Sequence, residues 1–174
     1  MKRLIAVVVP VLLGVVVGAA TPAAAAKPII EAGVPGTPIA GTYPAGVACS
    51  FPVSFEVVSG GEQTVFTYLD NDGNFERQVT VAKASVWRFT NLSSSTSVTV
   101  PLVGGRTEVT VADDGTVTIR ISGGVIGFNA PTDTPPGPFA LAISGHLIFV
   151  IAPSGAGTIT QRSGKVIDLC DAVS

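Results

Sequence analysis

Apolar and polar residues alternate along most of the chain after Cys49, which is the pattern of strands whose two faces meet different surroundings. In the segment CSFPVSFEV, every second residue from Cys49 to Val57 is apolar, while Ser54 and Glu56 fall on the other face. No stretch keeps a helical apolar period over three turns. The pattern therefore predicts a chain built of strands.

The segment RTEVTVADDGTVTIRIS, residues 106–122, is the clearest hairpin. Val109 and Val111 alternate with polar residues, and the same alternation resumes after Asp114 and Gly115. Glycine accepts the positive φ that a two-residue hairpin turn requires. This pattern predicts two antiparallel strands joined by a type I′ turn at Asp114-Gly115.

Further strands are predicted from the same alternation, at 62–69, 75–82, 85–91, 96–101, 125–130, 139–152, 156–162 and 165–170. Turn-forming residues separate them, at Gly60-Gly61, 71–74, 93–95, Gly104-Gly105, Gly123-Gly124, 153–155 and Ser163-Gly164. Many short strands with hairpin-length connections predict an all-β antiparallel meander, arranged as a barrel or a sandwich.

The segment FALAISGHLIFVIA, residues 139–152, differs from the others because it is apolar on both faces. We expect it to be covered on both faces, at least in its second half, with a bend or bulge at Gly145. A membrane span is the rival interpretation, but the segment is short and contains Ser144 and His146.

Cys49 and Cys170 are the two cysteines, and they lie near the two ends of the alternating region. In an exported chain such a pair predicts a disulfide, with two buried free thiols as the alternative. Because bridged Cα atoms lie about 5–6 Å apart, the first and last strands would be close together. We therefore predict a closed or nearly closed barrel, with a β-sandwich as the alternative.

The N-terminal segment has the three parts of a secretory signal peptide. Lys2 and Arg3 precede an apolar run, and small residues follow it. Ala24 and Ala26 fit the small-x-small pattern, so we expect cleavage after Ala26, with Ala20 as the second choice, and a secreted protein. The apolar run is too short for a membrane span, and we predict no transmembrane segment in the mature chain.

These features divide the chain into a signal peptide (1–26), an extended arm rich in proline and glycine (27–48) and a single β domain (49–174). Charged residues make up only 13% of the chain and the formal net charge is −2. A chain so poor in charge can bury a core, which excludes wholesale disorder. No basic patch is present, which argues against nucleic acid as a partner.

The segment DNDGNF, which begins at Asp70, is the stretch that most resembles a metal loop. An EF-hand loop needs glycine at position six and glutamate at position twelve, but this chain has Phe75 and Val81 there. Asp72-Gly73 between two strands fits a hairpin turn. We therefore predict a turn and neither a metal nor any other cofactor.

Arg77 and His146 are the candidate ligand-binding residues. Arg77 shares a face with Phe75 and Val79, where it either meets an anionic ligand or extends its charge to solvent. His146 is the sole histidine, and no GxSxG motif accompanies it, so a structural role competes with a catalytic one. Asn91-Leu92-Ser93 matches a glycosylation motif, with a strand end as the alternative.

The order of several short segments resembles a family of small uncharacterised secreted β-rich proteins of actinomycete bacteria. The resemblance covers Cys49 to Ser174 and rests on CSFPVSFEV, YLDNDGNFER, WRFTNLSS, VPLVGG, ADDGTVTI, PTDTPPGP, SGHLIF and SGKVIDLC. It implies a secreted β domain and carries no catalytic residue to this chain.

Three functional hypotheses follow. The first is a secreted non-enzymatic β domain that binds a small apolar ligand or the cell envelope. The second is a structural or interaction module of the cell surface that acts through exposed strands or the arm at 27–48. The third is a hydrolase or isomerase that uses His146, and the missing catalytic signatures argue against it.

Overall fold

The part of the chain that the structure describes is all-β, with one short helix near the C-terminal end. The structure is a computed structural model that describes residues 27–35 and 40–174, so the predicted signal peptide lies outside the described residues. The elements are β1 (Ile29–Pro35), β2 (Ala40–Tyr43), β3 (Val53–Gly60), β4 (Glu62–Leu69), β5 (Phe75–Ala82), β6 (Ser85–Asn91), β7 (Ser97–Leu102), β8 (Gly105–Val111), β9 (Val117–Asn129), β10 (Phe139–Ile151), β11 (Gly157–Asp168) and α1 (Leu169–Ala172).

The strands form two antiparallel sheets. One sheet has seven strands in the order β1-β4-β5-β8-β9-β10-β11, and the other has four in the order β2-β3-β6-β7. The connections from β3 to β4, from β5 to β6 and from β7 to β8 are short, and each carries the chain from one sheet into the other. The segment 27–48, predicted as an extended arm, carries β1 and β2, which lie at one edge of each sheet.

The predicted disulfide is present, but the predicted closed barrel is wrong. Cys49 and Cys170 are bridged with their Cα atoms 5.6 Å apart. Cys49 precedes β3 and Cys170 lies in α1, so the bridge joins segments outside the sheets. The ends of the chain therefore meet without strand pairing, and β1 and β11 remain at opposite edges of the larger sheet. The sandwich alternative fits the two sheets better.

A row of glycines crosses the three longest strands. Gly145 of β10 pairs with Gly123 of β9 on one side and with Gly164 of β11 on the other. Gly123-Gly124 and Ser163-Gly164 were predicted as turns, but they lie inside continuous strands of 13 and 12 residues. A Cβ on Gly145 would overlap the carbonyl oxygen of Ser163. The backbones thus approach closely along this glycine row, where only glycine fits.

The long strands bend back at the glycine row. The loop 130–138 follows one end of β9, yet the Thr134 amide donates to the Gly157 carbonyl oxygen at 2.8 Å, and the Ile159 amide donates to the Thr134 carbonyl oxygen at 2.8 Å. Gly157 pairs with Ile151, at the far end of β10. A straight strand would hold the two ends of β10 about 40 Å apart, so the two halves must fold toward each other.

Two apolar clusters result from this bend, one on each face of the first half of β10. Ala140 and Ala142 face the main core, which also contains Ala48, Cys49, Val53, Phe55, Phe89, Val100, Leu102, Leu169 and Val173. Leu141 and Ile143 face a second cluster, which contains Leu147 from beyond the bend. The expectation that β10 is covered on both faces at least in its second half is wrong, because His146 is exposed and residues 148–151 are only half-buried, whereas residues 140–143 are buried.

Three hairpin loops share one geometry. In the loop 112–116, the Gly115 amide donates to Ala112 and the Ala112 amide donates to Thr116, and the loops 70–74 and 152–156 repeat both bonds. Gly115 has a φ of 83°, whereas Asp114 keeps a negative φ. The predicted hairpin is confirmed, but its turn is type I followed by a left-handed glycine rather than type I′.

Candidate functional site

The DNDGNF segment is a turn whose acidic side chain is fully engaged by the turn itself. The Asp70 carboxylate accepts hydrogen bonds from the backbone amides of Asp72 at 2.9 Å and Asn74 at 2.8 Å, and from the side-chain amide of Asn74 at 3.1 Å. The Asn74 side chain is the largest cause of a lowered pKa at Asp70. The prediction of a turn is confirmed. In residues 27–35 and 40–174, no cluster of three or more His, Cys, Asp or Glu side chains is placed to hold a metal.

Asn91 has a structural role at the end of β6. It is 5% exposed. Its amide nitrogen donates to the Val173 carbonyl oxygen at 3.1 Å, and its Oδ1 accepts from the Ser93 amide at 2.9 Å. The nitrogen that a glycan would need is therefore buried and bonded, which supports the strand-end interpretation of Asn91-Leu92-Ser93.

Arg77 and His146 are not brought together. The Arg77 guanidinium lies 4.2 Å from the centre of the Tyr68 ring, and its Nη1 is 3.9 Å from Oε1 of Glu108. His146 is exposed on β10 and lines a groove of about 270 Å³ that also includes Arg106 and Glu108 but not Arg77. Each predicted residue thus has polar surroundings, but they do not form one site.

The groove around His146 carries more positive than negative charge. Arg106 pairs with Glu108 at 3.2 Å. Arg120 lies directly opposite Glu108 on the neighbouring strand, yet it makes no ion pair with any residue that the structure describes. His146 likewise makes no ion pair in residues 27–35 and 40–174, so no carboxylate among them orients it as a general base. The groove offers charge at an exposed surface, where solvent screens it.

A pocket of about 160 Å³ lies between the two halves of the bent strands. We call it the aliphatic pocket because its walls are almost entirely apolar, and its lining residues are Ile119, Ile121, Val125, Ile126, Gly127, Phe128, Asn129, Leu141, Ile143, Leu147, Phe149 and Ile159. The odd-numbered positions of β9 and β10 supply most of these side chains, on the face that the bend encloses.

Two residues of β9 distinguish the aliphatic pocket from ordinary core. A Cβ added to Gly127 would have no heavy atom within 4 Å, so this glycine leaves real space. Asn129 contributes the one polar side chain among the lining residues. It is 3% exposed, and its Nδ2 donates to the Pro135 carbonyl oxygen at 3.1 Å. The sequence gives no local signal for this pocket, since alternating apolar residues look the same in any half-buried strand.

A second apolar space opens where the two sheets separate near Gly61. Its volume is about 200 Å³, and Phe55, Trp87 and Phe128 form its aromatic wall. The ring centre of Phe55 lies 6.0 Å from that of Trp87 and 5.5 Å from that of Phe128. The indole nitrogen of Trp87 donates to the Ser85 hydroxyl at 2.9 Å. Trp87 is partly buried and packs against the main core.

In the part of the chain that the structure covers, no helix has the length and apolar character to span a membrane. Comparison with protein families, curated proteins and solved structures found no match to this chain. The resemblance to secreted proteins of actinomycetes therefore stays a prediction, and the function is argued from the geometry.

Proposed function

We propose that this protein is a secreted, non-enzymatic β domain that binds a small apolar molecule in the aliphatic pocket. The observation that carries the proposal is an apolar pocket lined by both halves of the bent strands, with Gly127 leaving open volume on its wall. Binding there removes apolar ligand surface from water, at roughly 25 cal/mol per Å². No covalent step is needed.

The volume limits the size of the ligand. An apolar protein cavity of roughly 150 Å³ stays dry and accepts benzene, whereas pockets for drug-sized ligands have volumes of about 300–1,000 Å³. The aliphatic pocket has about 160 Å³. The proposed ligand is therefore a single ring or a short branched chain.

Two features support export of the protein. The first 26 residues have the composition of a signal peptide, with Lys2 and Arg3 before an apolar run. The disulfide between Cys49 and Cys170 requires an oxidising compartment in most organisms.

Filling the pocket tests the proposal. Gly127→Leu places an isobutyl group in free space, and Gly127 does not have the positive φ that would make the change strained. We expect titration with toluene, followed by protein NMR, to show binding to the natural chain and none to the variant. Native mass spectrometry of protein purified from its own host should likewise show an added mass.

The matched control is Thr118→Leu, which adds apolar bulk to the opposite face of the same strand. It should bind toluene as the natural chain does. Equal toluene binding by the Gly127→Leu protein, or no binding by the natural chain, would contradict the proposal.

A second candidate function, a surface interaction module, is favoured by β1. Ile29 and Ile30 on this edge strand are 55% and 58% exposed. Edge strands with exposed apolar residues readily pair with other chains. Replacing both isoleucines with aspartate should reduce retention on cell-envelope fractions, while Val166→Asp on the opposite edge strand should not. Unchanged retention of the double variant would remove this candidate.

A further inference from the structure

Asn129 is the polar feature of the aliphatic pocket, and only one end of its side chain has a partner. Its Nδ2 donates to the carbonyl oxygen of Pro135, which fixes the orientation of the amide because a carbonyl accepts only from the nitrogen. The alternation along β9 places Asn129 on the same face as Gly127, toward the pocket. The amide oxygen then points away from Pro135.

Within the described residues, the side-chain amide of Asn129 makes one hydrogen bond, from Nδ2 to Pro135. Its Oδ1 therefore accepts no hydrogen bond from these residues. Every fully enclosed side-chain nitrogen or oxygen in these residues does have a partner. Oδ1 is therefore not fully enclosed, although the residue is only 3% exposed. Asn129 is one of the residues that line the aliphatic pocket.

Because Asn129 is only 3% exposed, little water can reach Oδ1, and the site favours an occupant that supplies a hydrogen-bond donor. Water suits this place poorly, because an internal water needs two to four polar partners and the lining side chains offer one. The remaining lining side chains are aliphatic or aromatic and match an apolar body.

We infer that Asn129 selects the ligand, and that the ligand is a compact apolar molecule with a single hydroxyl or N–H donor directed at Oδ1. This inference rests on the proposed function, since it concerns the same pocket. Small phenols and small alcohols belong to this class. In such pockets, a few placed polar groups fix orientation and give specificity.

Phenol and toluene test the inference, because they have nearly the same shape and differ in the donor. The ratio of their dissociation constants is measured by NMR titration for the natural chain and for Asn129→Leu. Loss of one neutral hydrogen bond should shift the ratio about fivefold in favour of toluene. An unchanged ratio would overturn the inference and leave apolar binding standing. Failure of both ligands to bind the natural chain would overturn the proposed function itself.

A measurement on the natural chain avoids any folding defect of Asn129→Leu, whose Pro135 contact is lost. Bound phenol should show nuclear Overhauser contacts from its ortho ring protons to the Asn129 side-chain amide, and from its para proton to Leu147. Bound toluene should show no such preference. The reverse orientation of phenol, or the same contacts for both ligands, would overturn the inference.

Discussion

The two halves of β10 have the same alternation of apolar side chains but different surroundings. In the first half, Leu141 and Ile143 are 6% and 1% exposed, and Ala140 and Ala142 are buried on the other face. Beyond Gly145, His146 is exposed and residues 148–151 are half-buried. The four-stranded sheet covers only the first half of β10, since Ala140 and Ala142 are the residues of β10 that belong to the main core. Burial therefore depends on where the strand bends rather than on local hydrophobicity.

The covered half is also tied to the rest of the chain by more distant contacts. The Cys49–Cys170 bridge spans 121 residues, and the Asn91 side chain reaches Val173. The uncovered half depends on strand pairing and on the second cluster. Regions with fewer buried contacts open at lower free energy. The aliphatic pocket is lined by residues of both halves, so we expect the wall in the uncovered half to open more readily than the other.

The largest effect should come from removing the disulfide. Replacing Cys49 and Cys170 together with alanine should lower the free energy of unfolding by about 4–5 kcal/mol, because a cross-link over so long a loop restricts the unfolded chain. Denaturant titration measures the loss. A double variant as stable as the natural chain would show that the covered half does not need its covalent tie.

Substitution of two isoleucines, one in each half of β10, compares the contributions of the two halves to stability. Ile143→Ala should cost about 3 kcal/mol, because the side chain is fully buried in the second cluster. Ile148→Ala should cost about 1 kcal/mol, since this side chain is only half-buried. Equal losses in denaturant titrations would contradict the difference between the halves.

The bend that separates the two halves of the long strands can be tested at Gly123 of β9. This residue has a φ of 109°, and a Cβ there would overlap the carbonyl oxygen of Gly104. Gly123→Ala should cost about 1–3 kcal/mol from its backbone conformation, with the overlap adding to the loss. Gly127→Ala, four residues along the same strand, is the control and should cost nothing, because its Cβ meets open space. Thermal unfolding of the two variants gives the comparison.

Structure that is determined by residues close together in the sequence is the most predictable part of this fold. The bounds of β4, β5 and β6 agree with the predicted strands, because local signals mark most of their ends: Gly60-Gly61 before β4, the turn at 70–74 between β4 and β5, and the turn that follows Asn91. Gly123-Gly124 and Ser163-Gly164 look like the same signal, yet they lie inside strands. Glycine allows either a turn or a bend, and the choice is fixed by the glycines that face it across the sheet.

Most features that depend on distant residues were not accessible from the sequence. The disulfide was predicted, but the barrel inferred from it was wrong, because Cys49 and Cys170 lie outside the paired strands. Arg77 and His146 can be identified from the sequence, because a charged or titratable residue on an apolar strand is unusual. Gly127 and Asn129 did not, since their significance arises only when the bend encloses their face of β9.

The position of Val173 in the main core has a consequence for how the protein is made. This side chain is fully buried, and Asn91, 82 residues earlier, bonds to its backbone. The main core therefore stays incomplete until the chain has been synthesised as far as Val173. Completion of the core depends on contacts between residues far apart in the sequence, and we expect such contacts to form later than those within hairpins.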